Sequence, residues 1–164
     1  MAKLKQADIA RVKAMGFLWN RGTEEFSGRV LTGNGVINAK QMQKVAECAE
    51  KYGNGKITMT SRLMLELPGI AYENIEAAQQ LVAEEGLIFG GTGAKIRPVT
   101  SCKGTTCVYG NFDTQAMAQE IHEKYFLGWK DVQLPHKFKI AVGGCPNSCM
   151  KPSLNDFGVE GHRV

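Results

Sequence analysis

The sequence predicts an α+β protein built from two consecutive modules. Two observations predict this fold class. Apolar residues at helical spacing alternate with short β-favouring runs, and a glycine-containing break over residues 86–93 separates a first set of elements from a second. The first set runs strand, helix, strand, strand, helix, an order that favours helices packed on one face of a sheet.

The first module begins with a strand and a helix. Residues 7–15 are weakly helical and belong to an N-terminal segment, residues 1–25, to which we assign no chemistry. Residues 28–31 favour a strand. A helix then starts after Asn38, a suitable N-cap, because the apolar residues that follow keep the spacing of one helix face. These residues are Met42, Val45, Ala46 and Ala49.

Two further strands and a second helix complete the first module. Residues 56–60 and 63–67 are short, β-favouring runs separated by a polar pair. Residues 73–85 keep helical spacing, and the apolar face consists of Ile75, Ala78, Leu81 and Val82. We therefore expect the module to span residues 26–93.

The second module, residues 94–164, has fewer regular elements. Residues 97–100 favour a strand, residues 113–125 a helix and residues 137–142 another strand. A final extended piece follows at residues 157–159.

Composition and charge indicate a globular chain and argue against two classes of protein. With 164 residues and 43% hydrophobic content, the chain can bury a core. Its apolar runs, such as residues 87–89, fall far short of the ~18 residues that a membrane span needs. The net charge of +4 is spread along the sequence, so charge does not indicate nucleic-acid binding. The first ten residues lack the apolar stretch of a secretory signal, and the cytoplasm is the expected location.

Four of the five cysteines fall into two close pairs, Cys102 with Cys107 and Cys145 with Cys149. Each pair lies in a turn that contains glycine or proline and follows a predicted strand. Backbone N–H groups are then free to point at sulfur, and the thiolates can converge on one metal centre. In a reducing cytosol this spacing indicates metal or redox chemistry, with disulfides, structural zinc and plain buried thiols as alternatives. The fifth cysteine, Cys48, is expected in the core of its helix.

Two lysines of the last predicted strand share one face. Side chains alternate between the faces of a strand, so Lys137 and Lys139 point to one side and the apolar residues between and after them to the other. Paired ammonium groups suit a small anion. On spacing alone, a solvated strand face is the favoured interpretation.

Both cysteine pairs lie in longer motifs. Residues 100–107, TSCKGTTC, and 143–149, GGCPNSC, resemble the cluster motifs of siroheme-dependent sulfite and nitrite reductases. Upstream, four motifs resemble the ferredoxin-like half domain of the same family, and these are LTGNGVINAKQ at 31–41, YGNG at 52–55, TSR at 60–62 and LPGI at 67–70. The resemblance therefore covers residues 26–164 and implies a ferredoxin-like half domain followed by an α/β sulfite reductase hemoprotein-like module.

The resemblance also implies cofactors and site residues. In the family a 4Fe-4S cluster is held by four cysteines, and one cysteine sulfur bridges to the iron of siroheme. The matching cluster ligands here are Cys102, Cys107, Cys145 and Cys149. Two arginines and two lysines bind the substrate anion in the family, and the matching positions are Arg62, Arg97, Lys137 and Lys139. Asn147, between the second pair of cysteines, is a candidate to hydrogen-bond the cofactor or to shape the turn.

The sequence departs from the family pattern in two ways. Four residues separate Cys102 from Cys107, whereas the usual family pattern has five. Larger members carry two tandem copies of this unit, with cysteines and basic residues in different copies, but here one copy carries both sets. A siroheme site is therefore expected to need a homodimer. The sequence also leaves open whether the chain is a fragment or subunit of a longer protein.

The leading functional prediction is an oxidoreductase that reduces sulfite, or less readily nitrite, at siroheme coupled to a 4Fe-4S cluster. Two alternatives stay open, a heme-free iron-sulfur electron-transfer module and a zinc-stabilised binding module. The sequence contains no clear nicotinamide or flavin motif, because the Gly90-Gly-Thr-Gly93 run lacks the last glycine of a dinucleotide fingerprint. Electrons are thus expected from a ferredoxin-like protein donor.

Overall fold

A break after Gly93 divides the computed structural model of the chain into two units, the second beginning at Ala94. The structure describes residues 4–163, so residues 1–3 and 164, at the ends of the predicted segments, lie outside the described residues. Each unit has its own sheet and its own buried cluster of apolar side chains. None of the helices in residues 4–163 is long and apolar enough to cross a membrane.

The first unit contains an antiparallel sheet of four strands in the order β1-β2-β4-β3. The strands are β1 Phe17–Trp19, β2 Glu25–Val30, β3 Thr58–Met59 and β4 Leu65–Ala71. Three helices accompany them, α1 Gln6–Ala14, α2 Ala39–Tyr52 and α3 Ile75–Ala83. Residues 4–25 join this unit, because β1 pairs with β2 and Val12 of α1 is fully buried in the shared core.

The predicted α2 is confirmed together with its N-cap. The Asn38 side chain accepts a hydrogen bond from the Gln41 backbone N–H at 2.9 Å, and the Gln41 side chain accepts one from the Asn38 N–H at 3.1 Å. This capping box satisfies two backbone donors at the helix start. Cys48 is fully buried on the apolar face of α2, which confirms that it belongs to the core.

Strand β4 continues past the predicted end at residue 67, through a proline and a glycine. Gly28 pairs with Leu67 and Phe26 pairs with Ile70, so one residue of β2 lies opposite two of β4. This bulge accommodates Pro68, which has no backbone N–H to give to a ladder, and Gly69 adopts a left-handed φ of +85°. The prediction ended this strand too early, because a proline normally ends a strand.

The second unit contains a parallel sheet of three strands in the order β5-β6-β7. The strands are β5 Thr100–Ser101, β6 Ile140–Gly143 and β7 Phe157–Glu160. One helix, α4 Thr114–Ile121, continues into a wider π-helical turn, His122–Leu127. The buried apolar cluster of this unit is smaller than that of the first and consists of Ile96, Val99, Ala118, Ile140 and Val142.

Strand β6 begins three residues later than predicted. The backbone N–H of Lys139 donates to the carboxylate of Asp156 at 2.7 Å, and Phe138 makes only an isolated bridge with Ile96. A side-chain carboxylate thus takes the hydrogen bond that a strand partner would otherwise accept. As a result Lys137 and Lys139 lie just before the strand.

Candidate functional site

Both cysteine pairs leave the same edge of the second sheet. Cys102 follows β5 directly, and Cys145 follows β6 after one glycine. Strands β5 and β6 are parallel neighbours, so their carboxyl ends lie side by side. The two cysteine loops, residues 102–110 and 144–151, therefore begin next to each other.

The first cysteine loop is closed by a tight turn. Residues Gly104–Thr106 form a 3-10 turn, and the N–H of Cys107 donates to the Gly104 carbonyl at 2.9 Å. Gly104 has a φ of +65°, which favours glycine. The turn thus closes the shorter four-residue spacing of this cysteine pair.

The second cysteine loop contains two non-glycine residues in the left-handed region, Ser148 with φ 54° and Lys151 with φ 47°. The Ser148 N–H donates to the Cys145 carbonyl at 3.2 Å, and the Lys151 N–H donates to the Ser148 carbonyl at 2.8 Å. Successive short turns hold this backbone in a costly conformation around the cysteines. Asn147 lies in this loop with its side chain exposed.

Gly144, at the start of the second loop, contacts Cys102 of the first loop. Its backbone N–H donates to Cys102 Sγ at 3.3 Å, and its carbonyl accepts from the Asn111 N–H at 3.0 Å. A Cβ at position 144 would lie 3.5 Å from Cys102 Sγ and 3.1 Å from Thr114 Cγ2. The absence of a side chain therefore lets the backbone of one loop approach the sulfur of the other.

Hydrogen bonds around Cys102 favour its thiolate. Burial raises the pKa of this thiol, but hydrogen bonds with the backbone at Gly104 and Gly144 and with the Thr114 hydroxyl together have the larger effect. The pKa of Cys102 is therefore lower than that of an ordinary cysteine. The thiolate is the form that binds metals.

The four loop cysteines are free thiols, three of them half-buried and Cys149 exposed. Within residues 4–163, no three Cys, His, Asp or Glu side chains lie close enough together to hold one metal ion. A tetrahedral zinc site would place its sulfur atoms about 3.8 Å apart. A 4Fe-4S cluster instead takes one thiolate on each of four irons, so its ligands are farther apart. Four free thiols on adjoining loops, with an N–H directed at one sulfur, fit a cluster.

Three of the four predicted basic residues lie at the opposite edge of the same sheet. Arg97 precedes β5, while Lys137 and Lys139 precede β6, all on the amino side of the parallel strands. Lys137 is exposed, and Arg97 and Lys139 are half-buried. The fourth, Arg62, belongs to the first unit. The structure thus brings Lys137 and Lys139 next to Arg97, whose N–H donates to the Phe138 carbonyl at 2.8 Å.

An open apolar cavity of about 530 Å³ lies near this amino edge. Aromatic side chains contribute much of its lining, including Tyr125, Trp129, Phe138 and Phe157. The cavity is separate from the cysteine loops, and Tyr125 is the only residue of its lining with a titratable side chain.

Two residues near the cysteines were missed by sequence reasoning. The Thr114 hydroxyl and the Gln115 side-chain amide both donate to the Cys102 carbonyl at 2.9 Å. The signal that could have found them is Asp113, a helix N-cap just after the first cysteine pair, because it places the start of α4 beside that loop.

Known proteins match both units. Residues 20–85 match the family described as nitrite/sulfite reductase ferredoxin-like half domain, and residues 92–164 match the family described as nitrite and sulphite reductase 4Fe-4S domain. The two matches follow one another along the chain, and the boundary between them lies close to the break after Gly93.

Curated relatives and solved structures extend this similarity. The chain is 36% identical over 125 residues to an uncharacterized protein of Methanocaldococcus jannaschii, covering 76% of this chain and 44% of that protein. It is 34% identical over 128 residues to the coenzyme F420-dependent sulfite reductase of the same organism, covering 77% of this chain and 20% of that protein. The structure of the Mycobacterium tuberculosis NirA protein superposes with a TM-score of 0.75 at 18% identity, covering 89% of this chain and 30% of that one, and supports the fold. The chain spans less than half the length of these relatives.

Proposed function

The chain belongs to the nitrite and sulfite reductase family, and we propose that it forms part of an oxidoreductase that reduces sulfite, or less readily nitrite, at siroheme coupled to a 4Fe-4S cluster. The observation that carries the proposal is the meeting of the two cysteine loops at one sheet edge, with the Gly144 N–H directed at Cys102 Sγ. We keep the cytoplasm as the proposed compartment, since thiols stay reduced there.

The cysteines would hold the cluster. Cys102 and Cys107 supply two thiolates from the first loop, and Cys145 and Cys149 supply two from the second. The bound cofactors would supply electrons one at a time to the anion. The two loops would hold these sulfur atoms apart, and their backbone N–H groups would donate hydrogen bonds to the sulfurs. Asn147, in the second loop, would contact the cofactor.

The basic residues would bind the anion. Arg62 and Arg97 offer planar, bidentate donors, and Lys137 and Lys139 offer mobile ammonium groups. Reduction of sulfite removes oxygen atoms as water, so protons must arrive with the electrons. Ammonium and guanidinium groups that contact those oxygens would orient the anion and relay protons to it.

Within one chain, the cysteines and lysines lie too far apart to share a site. Five residue steps from Lys139 to Gly144 cover about 16 Å of extended chain, and the two groups lie at opposite ends of it. We therefore propose that two copies of the chain form a homodimer in which the cysteines of one chain face the basic residues of the other. The electron donor is proposed to be a ferredoxin-like protein.

The test is anaerobic purification followed by an absorption spectrum and analysis of iron, acid-labile sulfide and zinc on one sample. Siroheme bands with about four non-heme irons per chain are the expected result. Zinc without iron would overturn the proposal.

A second candidate is a heme-free iron-sulfur electron-transfer module. It is favoured by the position of all four cysteines on one edge of one chain, which needs no second copy. It predicts iron and sulfide without siroheme bands, including after incubation with added siroheme. The same sample therefore separates the two candidates.

A further inference from the structure

A buried threonine lies between the two cysteine loops. Thr114 is the first residue of α4 and is 0% exposed although its side chain is polar. Its hydroxyl donates to the Cys102 carbonyl at 2.9 Å and also lies 3.7 Å from Cys102 Sγ, within hydrogen-bonding range of sulfur. One side chain therefore contacts both the backbone and the sulfur of a proposed cluster ligand.

Glycines of both loops make room for Thr114. A Cβ at Gly104, in the first loop, would lie 2.7 Å from Thr114 Oγ1. A Cβ at Gly144, at the start of the second loop, would lie 3.1 Å from Thr114 Cγ2. The hydroxyl thus packs against one loop and the methyl group against the other, so Thr114 fixes the distance between them.

The helix cap fixes Thr114 in turn. The Asp113 carboxylate accepts hydrogen bonds from the backbone N–H groups of Gln115 at 3.1 Å and Ala116 at 3.0 Å. These bonds hold the first turn of α4, and with it Thr114, in place.

Gln115 allows the Thr114 hydroxyl to change its partner. The Gln115 side-chain amide also donates to the Cys102 carbonyl, at 2.9 Å. The carbonyl keeps this bond when the single hydroxyl proton turns towards sulfur, so no buried acceptor is left unsatisfied. The sulfur then receives donors from both Thr114 and the Gly144 N–H.

We propose that Thr114 is a positioning residue of the iron-sulfur centre, whose hydroxyl, released from the Cys102 carbonyl by Gln115, donates to the Cys102 sulfur and raises the reduction potential of the cluster. Such a bond stabilises the reduced state more than the oxidised one, because the reduced cluster carries more negative charge on sulfur. This inference rests on the cluster of the proposed function but not on siroheme or substrate.

The test uses the full chain, reconstituted anaerobically with iron and sulfide, and a redox titration followed by electron paramagnetic resonance. Thr114→Val keeps the shape and the methyl group but removes the hydroxyl, so we expect the midpoint potential to become more negative. Thr114→Ser keeps the hydroxyl, so the potential is expected to stay near that of the wild type. A purely structural role would lower the melting temperature of the apoprotein in the variants without moving the potential.

Gln115→Met provides an independent variant. Without the amide, the Thr114 hydroxyl is the remaining side-chain donor to the Cys102 carbonyl and stays on it. The potential is then expected to shift in the same direction as in Thr114→Val, and the double variant should add no further shift. If Thr114→Val binds no cluster while Thr114→Ser does, the hydroxyl is needed to hold the cluster. The effect of the hydroxyl on the midpoint potential is then measured in Gln115→Met.

The outcomes separate this inference from the proposed function. A wild-type chain that takes up no iron and sulfide overturns both. A wild-type cluster whose midpoint potential is the same in Thr114→Val and in Gln115→Met overturns this inference alone.

Discussion

The two units use cysteine in opposite ways. The first buries Cys48 in a packed core, in which the ring centroids of Phe17 and Phe89 lie 4.6 Å apart. The second has a smaller core and carries four cysteines on loops beyond its strands. Substitutions in the first unit should therefore cost stability, and substitutions in the loops of the second should cost ligand binding.

The largest effect is expected from Cys145→Ser. Serine is a hard and poor ligand for iron, so essentially all cluster iron and sulfide should be lost. Cys48→Ala is the matched control, which should keep its cluster and lose about 1 kcal/mol in the free energy of unfolding. Equal iron loss in both variants would contradict the assignment of Cys145 as a cluster ligand and Cys48 as a core residue.

The next largest effect is expected at the amino edge of the second sheet, where Lys137 lies. Lys137→Gln removes an ammonium group proposed to bind the anion, and we expect sulfite turnover to fall about 10²–10³-fold. The absorption spectrum of the cluster should not change, since Lys137 lies at the edge opposite the cysteines. Lys56→Gln, at an exposed lysine of the first unit, is the control and should keep full turnover.

Part of the loss of stability at alkaline pH should come from Cys48, in the first unit. Burial raises the pKa of Cys48 to about 11. The unfolded chain therefore ionises this thiol first, and stability that is complete below pH 9 should fall by about 2 kcal/mol as the pH rises to 11. Urea unfolding of apoprotein at pH 8 and pH 11 measures this loss. In Cys48→Ala this part of the loss should be absent, and an undiminished loss there would assign it to other groups.

A mixture of two inactive variants tests whether the site is shared between chains. In a random mixture of Cys145→Ser and Lys137→Gln chains, half of the dimers are mixed and one of their two sites is intact, so about a quarter of wild-type turnover should return. The chains should be mixed after mild dissociation, with each variant alone as the control. Turnover no higher than that of the separate variants would place both sets of residues in one chain.

The smallest effect is expected at the capping box of α2. Asn38→Ala should lower the free energy of unfolding by about 1 kcal/mol, because it removes a side-chain acceptor for a helix N–H. Iron content at 25 °C should stay at the wild-type value. An unchanged unfolding midpoint would show that water replaces the cap.

The sequence was informative where local chemistry decides the structure. Asn38 and the spacing that follows it predicted α2, and the position of Cys48 on that helix predicted its burial. Prediction failed where partners distant in sequence decide. The bulge opposite Pro68 extends β4, and the Asp156 carboxylate delays the start of β6.

The site was predictable in its ligands but not in its surroundings. The spacing of Cys102, Cys107, Cys145 and Cys149 and the family motifs predicted the metal ligands, which remain a prediction. No local pattern could show that Thr114 packs against Gly104 and Gly144, because that contact requires both loops and a helix to be folded. The cysteines and lysines lie at opposite edges because β5 and β6 pair in parallel. This pairing was hard to predict, since β5 has only two residues and so gives a weak strand pattern in the sequence.

The opposite edges of the second sheet have an evolutionary consequence. A pair of identical chains holds two cysteine edges and two basic edges, whereas one shared site needs only one of each. After gene duplication and fusion, each copy would be released from selection on the edge that it no longer uses. Cysteines could then disappear from one copy and lysines from the other without loss of the site, so that a symmetrical pair becomes an asymmetric single chain.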